Sequence, residues 1–181
     1  MTKDELANLI EGCKAGEWAK QQRLYRQYHH YVMNVCARYA RTDEETEEMA
    51  DDVFVKVFTR LNQYDEGFPF MAWMRKIAVN TALDYLKKYR RSLHTEDLQV
   101  ATECYVTEDL IDALSAVEIM GLVRRLAPSY RAVFNLFVIE GYSHSEIAAA
   151  LEITESTSRG ALLMARQRLQ VFILDSHTIR L

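Results

Sequence analysis

The chain has 181 residues, of which 49% are hydrophobic and 27% charged, with a formal net charge of −4. That balance belongs to a folded globular chain with room for one ordinary core or two small ones, and it excludes a disordered polymer. No apolar run approaches the roughly 20 residues needed to cross a bilayer, so no membrane insertion is expected.

In chain order, Thr2-Lys-Asp-Glu5 has the form of a capping box, in which a hydroxyl and a carboxylate satisfy the first amides of a helix. The opening residues lack a basic start followed by an apolar stretch, so no signal peptide is expected. A second helix is predicted from about Glu17 to Tyr39, with Trp18, Leu24, Tyr25, Tyr28, Val32, Val35 and Tyr39 recurring at helical spacing. Thr42-Asp-Glu-Glu45 opens a third, with Val53, Val57 and Leu61 on one face. Gly67 and Pro69 mark a loop. A fourth helix runs from about Phe70 to Arg91 and is buried through Trp73, Met74, Ile77, Ala78 and Tyr85. From Ser92 the helical stripe is lost and the chain turns acidic, with Glu96, Asp97, Glu103, Glu108 and Asp109 and no Lys or Arg before Leu110. This stretch directly follows Lys87-Lys88-Tyr89-Arg90-Arg91, so the charge is segregated. Asp109 reads as the cap of a helix to about Leu126, Pro128 as the first residue of the next, and Gly141 as its end.

No stretch alternates with period two, so the expected class is all-α. Two small helical domains would be joined by a flexible acidic linker, at 1–91, 92–109 and 110–175. Cys13, Cys36 and Cys104 are scattered without CxxC pairing, which suits reduced thiols in a cytoplasm and argues against a zinc site or disulfide scaffold. His29 and His30 are adjacent on a helix and point about 100° apart, so they do not form a metal pair. No cofactor, metal or catalytic constellation is expected.

The sharpest local pattern runs from Ser143 to Gln170. Ser143 and Glu146 form a capping box, and Ile147, Ala148 and Leu151 give the buried side of a short helix. Glu152-Ile153-Thr154 makes a three-residue turn, with Glu152 where a glycine would ease a left-handed bend. The next helix buries Ser158, Leu162, Ala165 and Leu169 and turns outward Ser156, Arg159, Gly160, Leu163 and Arg166. That is the arrangement of a helix-turn-helix whose second helix enters a major groove. A plain helical hairpin is the alternative, and the outward Leu163 and Met164 suit either thymine methyls or a protein partner. In the first half, Phe68, Phe70 and Trp73 lie near Arg75, Lys76 and Lys87, a mixture suited to single-stranded nucleic acid. Trp73 at helical spacing with Ile77 also fits a core position.

Taken together, three ordered segments resemble the bacterial σ-70 family. FMAWMRKIAVNTALDYLKKYRR is similar to the σ helix that reads and melts the −10 element. EEMADDVFVKVFTRL is similar to the preceding helix, which docks on the RNA polymerase clamp. The segment from Leu126 to Leu169 is similar to the module that reads the −35 element. The resemblance covers about Leu24 to Arg91 and Leu114 to Leu169 and points to the short extracytoplasmic-function type. It implies an alternative σ factor rather than an enzyme: a cytoplasmic chain, monomeric when alone, that binds core RNA polymerase and promoter DNA and is often held by an anti-σ factor. By residue, Glu48, Asp51 and Asp52 would face the polymerase, with Asp51 in place of the usual glutamine. Phe68, Trp73, Lys76, Asn80 and Lys87 would approach the −10 strand, with residues Tyr64 to Pro69 receiving a flipped base. Val79 replaces a basic residue and would weaken the phosphate grip there. Ser156, Thr157, Arg159 and Arg166 would handle the −35 element, while Gly160, Ala161, Leu163 and Met164 replace a more polar, basic pattern. A σ-like helical adaptor that binds polymerase or another protein without reading promoters is the alternative.

Overall fold

The computed structural model describes residues 2–89 and 115–178, and every regular element among them is helical. The chain divides into two compact units, Met1–Tyr85 and Leu86–Leu181. The expected linker at 92–109 and its boundaries lie outside the described residues.

The first unit opens with α1 (Lys3–Lys14), and the Thr2 box is present: the Thr2 hydroxyl accepts from the Glu5 amide, and Glu5 accepts from the Thr2 amide at 2.9 Å. Gly16, at φ +79°, turns the chain into α2 (Trp18–Cys36), a bend that L side chains resist. Then come α3 (Asp43–Arg60), capped by Thr42, a short 3-10 turn (Leu61–Gln63), and α4 (Phe70–Tyr89). Packing of α1 on α2 and of α2 on α3 follows from their matched apolar stripes. Leu9 and Ile10, Leu24 and Val32, and Val53 and Val57 all lie in the core. Each such side chain contributes about 1.5–3 kcal/mol relative to exposure.

Two expectations about this unit are corrected. Trp18 is 70% exposed, because it stands in the first turn of α2, beyond the reach of the core that Leu24 and Tyr28 enter. Val79 is 1% exposed, because α4 is buried over most of its circumference, through Met74, Ile77, Ala78, Val79, Ala82 and Leu83. A cation at position 79 would therefore sit in the core and not on a phosphate-facing surface. Burial raises the thiol pKa of Cys13 to about 11 and of Cys36 to about 12, so both stay protonated and unreactive at neutral pH.

The second unit contains α5 (Ala116–Arg124), α6 (Pro128–Phe134), α7 (His144–Leu151) and α8 (Glu155–Thr178). Ser115 is extended and forms a capping box with Glu118, so no helix runs unbroken from Asp109 to Leu126. Asp109 itself lies outside the described residues. Pro128 occupies the first turn of α6, which passes into a single π turn (Asn135–Ile139) before Gly141 ends it at φ +76°. The helices α5, α6 and α7 all pack on α8. Val123, Leu126 and Ala165 form the centre, with Tyr130, Phe134, Leu169 and Phe172 against them. The Arg125 guanidinium lies 4.2 Å from the Phe172 ring centre, a cation–π contact that ties the end of α5 to α8.

Leu24→Ala is expected to destabilise the first unit by about 2–5 kcal/mol. Both tryptophans belong to that unit, so their fluorescence in a denaturant titration reports it alone, and amide exchange in α5–α8 should not change. The Ser143 amide and hydroxyl both hold the Glu146 carboxylate and lower its pKa from the ordinary carboxylate value. The cap's stabilisation is thus complete above the ordinary carboxylate range and is lost as pH falls through the lowered value. Glu146→Gln should lower the melting temperature of the second unit at pH 7, and the difference from the parent should shrink in acid.

Candidate nucleic-acid interface

In the first unit the loop from Tyr64 to Pro69 is folded by its own polar groups. Asp65 Oδ1 accepts from the Gly67 amide at 2.8 Å, and the Phe68 amide donates to the Asp65 carbonyl at 3.1 Å. The Tyr64 hydroxyl donates to the Phe68 carbonyl at 2.6 Å. Desolvation, with Glu66 and Asp65 nearby, raises the Tyr64 pKa and keeps that donor protonated. With its backbone held this way, Phe68 presents its ring outward, 65% exposed. Beside the loop, Tyr64, Phe70 and Trp73 contact one another with ring centroids 5.1–5.6 Å apart, and Tyr28 backs Phe70 at 5.3 Å. Such offset and edge-on pairs stiffen an aromatic surface. Trp73 is half-buried within this cluster, so the core position its spacing suggested holds only in part.

Trp73, Lys76, Asn80 and Lys87 fall within an arc of about 60° on α4 at 3.6 residues per turn. Lys76, Asn80 and Lys87 are exposed, Lys87 on the last turn beyond the end of the first unit. Met71, Ala72, Asp84 and Lys88 are exposed on α4 as well, and of these the Asp84 carboxylate, next to the arc, is paired with Lys56 at 3.0 Å. Within the first unit the result is a strip that begins with aromatic rings and continues with the Lys76 ammonium and the Asn80 amide. It suits unpaired bases at one end and a phosphate backbone along its length.

On α3, Glu48, Asp51 and Asp52 are exposed and share a stripe with Val55. Asp52 has an internal role as well, because its Oδ2 accepts from the Tyr85 hydroxyl at 2.9 Å. Burial, then that bond, raises the Tyr85 pKa. Lys56 on α3 also pairs with Asp84 on α4 at 3.0 Å, so these polar contacts fix the two helices to each other.

In the second unit, Glu152 takes the left-handed conformation that its place in the turn requires, φ 54° and ψ 44°. Thr154 caps α8 by accepting from the Thr157 amide at 3.0 Å. A link that the apolar pattern did not disclose joins the two helices. The His144 ring Nδ1 lies 2.9 Å from the hydroxyl of the fully buried Ser158, while the ring stacks on Phe137 with centroids 4.5 Å apart. A serine at a core position of a helix needs a polar partner, and that requirement was the readable signal. Ser156, Thr157, Arg159 and Arg166 are all exposed on α8. Thr157 shares a hydroxyl contact with Thr154 at 2.8 Å, and Arg159 pairs with Glu155 at 3.2 Å. Leu163 projects from the same face, 57% exposed, whereas Met164 is half-buried rather than outward.

Among the described residues no group of three or more His, Cys, Asp and Glu could hold a metal ion, and no helix is long and apolar enough to cross a membrane. His29 packs between Tyr25 and Phe54, at 4.9 and 6.4 Å.

The family model for Sigma-70 region 2 matches residues 24–92, and that for Sigma-70, region 4 matches 116–169. Together they span more than half of the chain. The RNA polymerase sigma-H factor of Pseudomonas aeruginosa is 22% identical over 180 residues, covering 92% of this chain and 93% of that one. The ECF RNA polymerase sigma-E factor of Escherichia coli K12 is 24% identical over 171 residues, covering 88% and 89%. Among solved structures, the sigma factor RpoE of Bartonella quintana, determined with the anti-sigma factor NepR, aligns at 17% identity with a TM-score of 0.48, covering 85% of this chain and 96% of that one. The strip on α4 lies inside the region 2 match, α7 and α8 as far as Leu169 lie inside the region 4 match, and the chain belongs to the σ-70 family of sigma factors, in its extracytoplasmic-function type.

Proposed function

We propose that this alternative σ factor joins core RNA polymerase in the cytoplasm, brings it to a two-part promoter and opens the duplex without performing a chemical step of its own. The observation that carries this reading is the pairing, on one chain, of two different DNA-fitting surfaces. One is an aromatic-to-cationic strip suited to a single strand, and the other is a helix-turn-helix suited to a duplex.

In this reading residues 1–91 and 110–175 are the working domains, joined by 92–109. Phe68 receives an unpaired −10 base against the Tyr64–Trp73 surface. Asn80 hydrogen-bonds a base edge, and Lys76 and Lys87 follow the backbone. Flipping a base costs a few kcal/mol, which stacking at about 1–3 kcal/mol per base offsets only when the rings are already in place. The internal bonds of the loop supply that preorganisation. Ser156, Thr157, Arg159 and Arg166 meet the −35 duplex, and Glu48, Asp51 and Asp52 meet the polymerase. Restraint by an anti-σ protein belongs to the same proposal.

Run-off transcription from a promoter library, with core RNA polymerase and this protein, tests the reading. Transcripts are expected from a small subset of templates and only when both proteins are present; no protein-dependent transcript from any template would refute it. Phe68→Ala should leave the melting temperature unchanged, as an exposed ring predicts, and lower open-complex formation about fivefold or more.

A further inference from the structure

The outward face of α8 carries a feature that electrostatic contact with DNA does not explain. Gly160 sits inside the second turn of α8, where glycine is unfavourable relative to alanine, and a Cβ added there would meet no atom within 4 Å beyond the helix's own backbone. Nothing in the chain's own packing calls for the missing side chain. One turn on, Leu163 stands 57% exposed, apolar among polar neighbours. Ser156, Arg159, Gly160, Leu163 and Arg166 share one face, so the leucine and the bare backbone lie between two guanidinium groups. Arginines on both sides mark the surface as one that meets phosphates, and this chooses DNA over an apolar protein partner as its occupant.

Resting on the σ-factor reading above, we propose that Gly160 and Leu163 form an apolar readout element. Gly160 lets the edge of the major groove approach the helix backbone, and Leu163 then presses on the C5-methyl of a thymine in the −35 element. Thymine is the one base that presents a methyl group in that groove, so such a contact discriminates without a hydrogen bond. It also suits a recognition helix whose Arg159 is partly neutralised by Glu155 at 3.2 Å. Specificity here comes from shape and apolar fit more than from cations.

The test uses the full chain with core polymerase on a promoter taken from the library selection. Each −35 thymine is replaced in turn by deoxyuridine, which keeps every hydrogen-bonding group and removes only the methyl. The selected −35 element should contain a required thymine, and its replacement should lower occupancy about fourfold, the effect of one buried methyl-sized group. Leu163→Ala should bind the thymine and deoxyuridine templates equally. Gly160→Ala should raise the melting temperature by a few degrees and still weaken promoter occupancy. Gly121→Ala is the control: also a helix-interior glycine with open space at its Cβ, it should stabilise α5 without touching promoter binding. The proposal is overturned if no −35 position requires thymine, if deoxyuridine is indistinguishable from thymine for the parent protein, or if Leu163→Ala leaves DNA binding unaltered and disturbs only a protein contact. Loss of all −35 dependence in the parent would instead overturn the underlying σ-factor reading.

Discussion

Charge is the constraint on which the rest of this molecule turns. Duplex DNA is a dense polyanion, and most proteins that hold it gain affinity by replacing condensed counterions with many lysines and arginines. Here the whole chain carries −4, and the outward face of α8 offers Arg159 and Arg166 beside Glu155. Few phosphates can be neutralised, so the counterion contribution is small. Tethering provides another source of affinity. When one large partner presents both units, the second contact becomes intramolecular, at an effective concentration in the millimolar range for a short flexible connection. Weak surfaces then suffice, and a chain that binds poorly alone does not occupy promoters unproductively.

Weak surfaces must nevertheless be accurately shaped, and the local chemistry of each unit serves that need. The loop after Tyr64 is closed by a side-chain turn at Asp65 and by the tyrosine hydroxyl, so the backbone that carries the Phe68 ring is held by the loop's own bonds. The Tyr85–Asp52 and Lys56–Asp84 contacts keep α4 aligned with α3. In the second unit the His144–Ser158 contact and the Ser143–Glu146 box hold α7 against α8, so the recognition helix is presented in one orientation. Each contact is modest in energy, about 1 kcal/mol for a neutral hydrogen bond. Their value lies in the orientations they exclude.

The all-helical class was legible because the apolar spacing is strong in α2, α3 and the α7–α8 pair, and capping boxes announced the helix starts at Thr2 and Ser143, while the box expected at Thr42 forms only its hydroxyl half, since Glu45 accepts from the Arg41 amide instead. The left-handed Glu152 was legible too, from the length of the turn. Periodicity was a poorer guide where a helix is buried on several sides. Along α4 the apolar positions cover so much of the circumference that spacing gave no check on the phosphate-facing place that the resemblance implied for position 79, where Val79 is buried. Trp18 fits the stripe of α2 by spacing, yet spacing carries no information about where the neighbouring helices end. The Ser158 hydroxyl fell on the core side by the same pattern, but its partner lies 14 residues away, beyond the reach of helical spacing. The exposed residues of α4 and α8 were found from the sequence because polar groups interrupt apolar stripes there. Their own pairings, such as Arg159 with Glu155 and Thr157 with Thr154, emerged only from the fold.

Affinity for one promoter fragment, measured with and without core enzyme at a single fixed salt concentration, shows whether promoter binding depends on polymerase. Sequence-specific binding should rise at least about 100-fold when the core enzyme is present, the scale that joining two weak contacts provides. Tight, promoter-specific binding by the chain alone, unchanged by core polymerase, would contradict that dependence.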